Sequence, residues 1–94
     1  MKVVFLTSAK PGLRWFKLYY TRVFPEGRDK ANQQFAKMQK VLAAAPLIGK
    51  PVGKASSRSY SVPRTPFSVI YRVAAGKVEI LHVMDQRAER MEIS

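Results

Sequence analysis

The chain has no cysteine, a single histidine and only six carboxylates among 94 residues. Without thiols there is no disulfide framework, no thiolate zinc site and no cysteine nucleophile, and nothing points to an oxidising compartment. The acids, Glu26, Asp29, Glu79, Asp85, Glu89 and Glu92, are scattered. They offer no cluster of the kind that metal-dependent nucleases and hydrolases use, so neither a metal nor a cofactor is expected. Ser-His-Asp chemistry gains no support, because His82, the one imidazole, falls in a strand-like run opposite Val69 and reads as packing. No apolar run is long enough to cross a bilayer and the amino terminus carries no signal-peptide core, so a cytoplasmic protein without a membrane partner is expected.

What the chain has is positive charge: 17 Lys and Arg give a formal net charge of +11, while 47% of residues are hydrophobic. That apolar fraction is too high for a disordered polycation, so residues 1–94 read as one small basic domain seeking an anionic partner. So short a chain hides only about 60% of the surface its unfolded form exposes, and a bound partner would add stability.

Lys2 to Thr7 is rich in β-branched and aromatic residues and reads as a first strand. Ser8 as cap and Pro11 in the first turn open a helix whose apolar stripe is Leu13, Phe16, Tyr20 and Val23, broken at Pro25-Glu26-Gly27. A second helix from Arg28 to Ala45 buries Ala31, Phe35, Met38, Leu42 and Ala45 and stops at Pro46, folding back as a helical hairpin. Pro46 to Ser59 reads as an exposed basic loop and Tyr60 to Val62 as a short strand. Phe67 to Val73 and Val78 to Met84 form a hairpin about Ala75-Gly76. Counting outward pairs Val73 with Val78, Tyr71 with Ile80, Val69 with His82 and Phe67 with Met84 on one face, and Arg72 with Glu79 and Ile70 with Leu81 on the other. The fold class is therefore α+β: a strand, an antiparallel helical hairpin, then a three-stranded antiparallel meander completing a small, mostly antiparallel sheet. Phe16, Phe35, Val69 and Tyr71 are assigned to the core. Both hairpin faces look apolar, so one face is expected to need cover beyond the helices. Residues 85–94 form a polar tail with no predicted strand.

Gly49-Lys50-Pro51-Val52-Gly53-Lys54-Ala55 imitates a phosphate-binding loop but fails: three residues separate its glycines instead of four, and Ala55 stands where Ser or Thr is needed. Lys50, Lys54, Arg58, Arg64 and Arg72 could grip phosphates. The plainer alternatives are solvation for the lysines and an ion pair with Glu79 for Arg72.

The chain resembles the RelE/ParE superfamily of toxins from bacterial type II toxin-antitoxin modules, in its ParE-like branch. The resemblance covers almost the whole chain. It rests on Leu13-Arg14-Trp15-Phe16 with Tyr19-Tyr20, Phe24-Pro25-Glu26-Gly27, Ala45-Pro46-Leu47-Ile48-Gly49-Lys50-Pro51, and above all on Pro63-Arg64-Thr65-Pro66-Phe67-Ser68-Val69-Ile70-Tyr71-Arg72-Val73 leading to Val78-Glu79-Ile80-Leu81-His82-Val83. It implies a toxin neutralised by a cognate antitoxin, with either DNA gyrase or ribosome-bound messenger RNA as target. The nucleases of the superfamily add a Tyr or His-Tyr near the carboxyl terminus to their basic sheet, and the residues after Met84 contain neither. Where ParE-like relatives often carry His, this chain has Asp85.

Gyrase inhibition by binding is therefore the expected activity, with Arg87 and Arg90 as target contacts. The alternative is a metal-independent, ribosome-dependent endoribonuclease with Lys50, Lys54, Arg58, Arg72 and Arg87 as its electrostatic clamp. Composition also permits a basic nucleic-acid-binding protein without toxicity. Charge and leftover apolar surface call for an acidic, amphipathic antitoxin segment over Leu13, Trp15, Tyr19 and Ile70, with carboxylates toward Arg14, Arg64 and Arg72.

Overall fold

A computed structural model describes residues 1–53 and 56–87. The elements run β1 (Lys2–Phe5), α1 (Lys10–Leu18), α2 (Arg28–Ala44), β2 (Lys50–Val52), β3 (Ser57–Ser61), β4 (Phe67–Ala74) and β5 (Lys77–Asp85). The sheet order is β1-β5-β4-β3-β2, with β1 parallel to β5 and every other pair antiparallel. The α+β architecture is as the hydrophobic pattern predicts: the helical hairpin carries the chain from β1 to β2 at the opposite edge of the sheet, and β2 to β5 return as a meander that ends beside β1.

Three local details differ from expectation. Ser8 does not cap α1; its hydroxyl donates to the Leu81 carbonyl (2.6 Å), and a 3₁₀ turn at Thr7–Ala9 precedes the helix, which has Pro11 in its first turn. Past Leu18 the helix relaxes into a π turn, Tyr19–Val23. There the Thr21 hydroxyl back-bonds to the Lys17 carbonyl, and the Phe24 amide reaches five residues back to Tyr19. Pro46–Ser59 is no simple loop either. It holds β2 and the start of β3, with Pro51 in the edge strand, where its missing N–H costs no ladder bond.

The β4–β5 register begins as counted: Val73 pairs with Val78, Arg72 with Glu79 and Tyr71 with Ile80. The connecting turn places Ala75 and Gly76 at positive φ (53° and 71°), as a mirror-image hairpin turn requires. A bulge between Ile70 and Tyr71 then shifts the ladder by one residue, so Ile70 faces His82, Val69 faces Val83, Ser68 faces Met84 and Phe67 faces Asp85. Because strand faces alternate, that single extra residue turns Val83 and Asp85 to the helix side and His82 and Met84 to the other. His82 is accordingly exposed rather than packed against Val69.

The core lies between the helical hairpin and one sheet face. Phe16 is its hub, with ring centroids 4.7 Å from Phe35, 5.0 Å from Phe67 and 5.1 Å from Tyr20. Phe16, Val69 and Tyr71 are buried, and Phe35 packs against the buried cluster. The second sheet face is less apolar than expected. β3 lays Ser57, Ser59 and Ser61 on it beside Ile70 and Arg72, and the bulge has moved Val83 away.

Gly12 sets the distance between α1 and the sheet. A Cβ built there would lie 1.9 Å from the Val83 carbonyl oxygen, so helix and strand meet backbone to backbone. At an exposed helix site Gly→Ala gains about 1 kcal/mol. Here the sign should reverse, with Gly12→Ala destabilising by about 1–3 kcal/mol through overpacking. Thermal melting of the two proteins checks it, and a melting temperature raised by the substitution would mean that α1 does not sit on β5 as described.

Candidate functional site

The chain's one tryptophan, Asp85 and the last described arginine meet where α1 crosses the end of β5. Gly12 brings the helix down on Val83, and the bulge turns Asp85 toward it. One helical turn past Gly12, the Trp15 indole N–H donates to Asp85 Oδ2 (2.8 Å). Arg87 folds back over the same carboxylate: Nε donates to Oδ1 (3.2 Å), Nη2 to Oδ2 (3.0 Å), and its backbone N–H to Oδ1 (3.0 Å) as to a helix cap. Its remaining terminal nitrogen, Nη1, donates to the Tyr19 hydroxyl (3.0 Å), and the guanidinium lies 4.4 Å from the Tyr19 ring centroid.

Burial alone would push the Asp85 carboxyl up, but hydrogen bonds from the Arg87 side chain, Trp15 and the Arg87 backbone outweigh it and hold the group below the ordinary carboxylate range. The same contact with Asp85 pushes the Arg87 guanidinium up, with a smaller contribution from Tyr19. Asp85 is thus a fully bonded anchor, a role that sequence inspection did not assign. An acid two residues before an arginine at a strand end was the available signal, but its register with Trp15 depends on the bulge.

The described residues of the phosphate clamp proposed from sequence are divided between the two sheet faces and the α1 end of the sheet. Arg58 shares the helix-side face with Tyr71 and spends Nη1 on the carbonyls of Leu47 (3.2 Å) and Gly49 (2.8 Å). Arg72 lies on the opposite face, bound to Glu79 at 2.8 Å as its cross-strand position predicts. Lys50, exposed, shares that open face through its pairing with Ser59, while Arg87 is held at the α1 end of the sheet. Lys54 and Arg90 lie outside the described residues. Among the described residues no group of three His, Cys, Asp or Glu is placed to hold a metal, and no helix is long and apolar enough to cross a membrane.

The residues proposed for an antitoxin also divide between two faces. Leu13, Arg14 and Trp15 belong to α1, with Leu13 partly buried, Arg14 exposed and Trp15 half-exposed. Tyr19 is buried beneath Arg87. Arg64 stands exposed in the turn before β4 at a φ of 63°, and Ile70 and Arg72 occupy the far side of the sheet. Sequence reading missed the larger apolar exposure along and beyond α1, at Leu18, Val23 and Phe24. Leu18 lies outside the buried stripe; Val23, placed in that stripe by its helical spacing, is instead exposed because the π turn breaks that spacing, and Phe24 follows the turn.

The model of the ParE toxin of type II toxin-antitoxin systems, parDE, matches residues 3–90. Among solved structures, the chromosomal ParDE toxin-antitoxin system from P. aeruginosa is similar, with a TM-score of 0.70, 26% identity, and coverage of 90% of this chain and 95% of that one. A search of curated proteins finds no match.

The Asp85 cluster carries its own test. Since the folded carboxyl sits below its unfolded value of about 3.9, its stabilisation should be complete above about pH 5 and be lost as acid carries the solution through the lower folded value. Fluorescence of Trp15, the chain's one tryptophan, should stay constant from pH 8 to 5 and change only below pH 4. Asp85→Asn should remove that step and cost roughly 1.5–3 kcal/mol, the range for hydrogen bonds to a charged group. An Asp85→Asn protein with unchanged stability and unchanged acid titration would show that the carboxylate is not the anchor.

Proposed function

Since the chain belongs to the ParE toxin family of type II toxin-antitoxin systems, we propose that it arrests its host by occupying DNA gyrase in the cytoplasm, and that a cognate antitoxin holds it inactive through an acidic, amphipathic segment. The observation that carries occupancy over turnover is the fate of the arginines. Stabilising the charge of an in-line phosphoryl transition state needs cations aimed at one point. Here Arg58 is spent on loop carbonyls, Arg72 on Glu79 and Arg87 on Asp85 and Tyr19, at separate places on the sheet. The residues after Met84 add no tyrosine or imidazole to move a proton.

The antitoxin surface is best supported on α1 and the π turn after it, where exposed Trp15, Leu18, Val23 and Phe24 sit among the exposed cations Arg14, Lys17 and Arg22. An acidic amphipathic segment there covers apolar area and neutralises charge together. Arg87 and Arg90 are the proposed gyrase contacts, with Asp85 setting where Arg87 stands. The nuclease reading, with the ribosome and messenger RNA as partners, draws on one observation: the bulge puts His82 on the open face with Lys50 and Arg72.

Purified toxin should block gyrase supercoiling and leave messenger RNA uncut on translating ribosomes. The Arg87→Ala, Arg90→Ala double variant should lose most of the block while keeping a cooperative melt. Codon-dependent cleavage abolished by His82→Ala or Arg72→Ala, with supercoiling unaffected, would replace the gyrase reading by the nuclease one.

A further inference from the structure

The most exposed large apolar side chain in the described structure is Leu47, at 65%, and its neighbour Ile48 is 53% exposed. They stand together on the short connection between α2 and β2, and that connection is tied down. The buried Tyr71 hydroxyl donates to the Pro46 carbonyl (2.7 Å) and accepts from the Gly49 amide (2.9 Å). Arg58 holds the carbonyls of Leu47 and Gly49, and the Ile48 amide returns to the Ala45 carbonyl (3.1 Å). Gly49 is packed so closely that a Cβ would lie 2.7 Å from the Tyr71 hydroxyl. The backbone's polar groups turn inward onto a core tyrosine and a strand arginine, while the two apolar side chains face solvent.

A groove lies on either side of this ridge. One, about 330 Å³, is lined by Leu47, Pro51, Arg58 and Val73 among others; the other, about 310 Å³, by Ile48, Lys50, Ser59 and Tyr60 among others. Neither groove is lined by a carboxylate among the described residues, so the surroundings are cationic. α2 has 17 residues, and at about 1.5 Å of rise per residue the ridge stands roughly 25 Å from Val23 and Phe24 at the other end of that helix.

We propose that Leu47 and Ile48 form a preformed docking ridge for a folded acidic protein, inserting into an apolar depression rimmed by carboxylates that reach Lys50. Fixed knobs on a fixed backbone suit a partner whose pocket already exists, because both sides then lose less conformational freedom on contact. A segment that folds on binding brings its own adaptation and needs no such ridge. The ridge is thus assigned to the toxin's target and the α1 face to the antitoxin. This assignment rests on the reading of the chain as a toxin acting by occupancy, though not on gyrase being the target.

The test compares wild type, the Leu47→Ser, Ile48→Ser double variant and Lys50→Glu. Growth arrest is scored on induced expression, affinity for the cognate antitoxin by titration calorimetry, and folding by thermal melting. Leu47 and Ile48 are exposed, so the double variant should melt like wild type; Lys50→Glu, also at an exposed site, repeats the test should it not. Both should lower growth arrest at least tenfold while changing antitoxin Kd less than twofold. Undiminished arrest would overturn the proposal, and so would antitoxin affinity falling in step with arrest. Loss of arrest with Lys50→Glu but not with the double variant would point to a nucleic acid and equally overturn it. If the double variant loses arrest although wild type leaves gyrase supercoiling intact, the ridge stands and the gyrase reading fails. A wild type that arrests no growth removes the toxin reading and the ridge's role with it.

Discussion

The close approach of the Gly12 backbone to the Val83 carbonyl governs how this domain is assembled. It lets α1 lie against β5 without an intervening side chain, which brings Phe16 into the aromatic core one turn later and Trp15 to the strand's end. The β4–β5 bulge is the matching requirement on the sheet. Without its extra residue, Asp85 would point away from the helices and Arg87 would have no carboxylate to fold over Tyr19. A helix without a side chain at one position and a strand with one residue too many together build the corner where the chain's carboxyl-terminal part meets α1.

How much of this was legible in the sequence depends on whether the information was local. The helical hairpin was readable because Leu13, Phe16 and Tyr20, then Ala31, Met38 and Leu42, repeat at helical spacing. The β4–β5 turn was readable from Ala75-Gly76, and the Arg72–Glu79 pair followed from counting outward. The bulge was not readable, because period-two alternation carries no mark of an inserted residue when both faces hold apolar side chains. His82 and Asp85 were therefore placed wrongly or left unassigned. β2 and the start of β3 were missed because Lys50-Pro51-Val52 and Ser57-Arg58-Ser59 have loop composition, and only pairing across the sheet makes them strands. Of the residues proposed as one surface, Leu13, Arg14 and Trp15 lie together on α1. Ile70 and Arg72 were joined to them although the sheet lies between.

The excess of positive charge acquires a more specific meaning in three dimensions. The arginines on the sheet and at its end are mostly occupied: Arg58 by carbonyls, Arg72 by Glu79 and Arg87 by Asp85. They brace loops and termini, while the cations on α1 stand exposed beside apolar side chains. That division suits a protein that presents surfaces to other proteins. A catalyst for phosphodiester cleavage would instead gather unpaired cations around one phosphate.

Occupancy and turnover differ most directly in stoichiometry. Purified toxin titrated into a gyrase supercoiling reaction, with gyrase fixed well above the dissociation constant, should reduce activity linearly and reach its endpoint near one toxin per toxin-binding site on the enzyme. Inactivation that continues to completion at a small fraction of that ratio would contradict inhibition by binding.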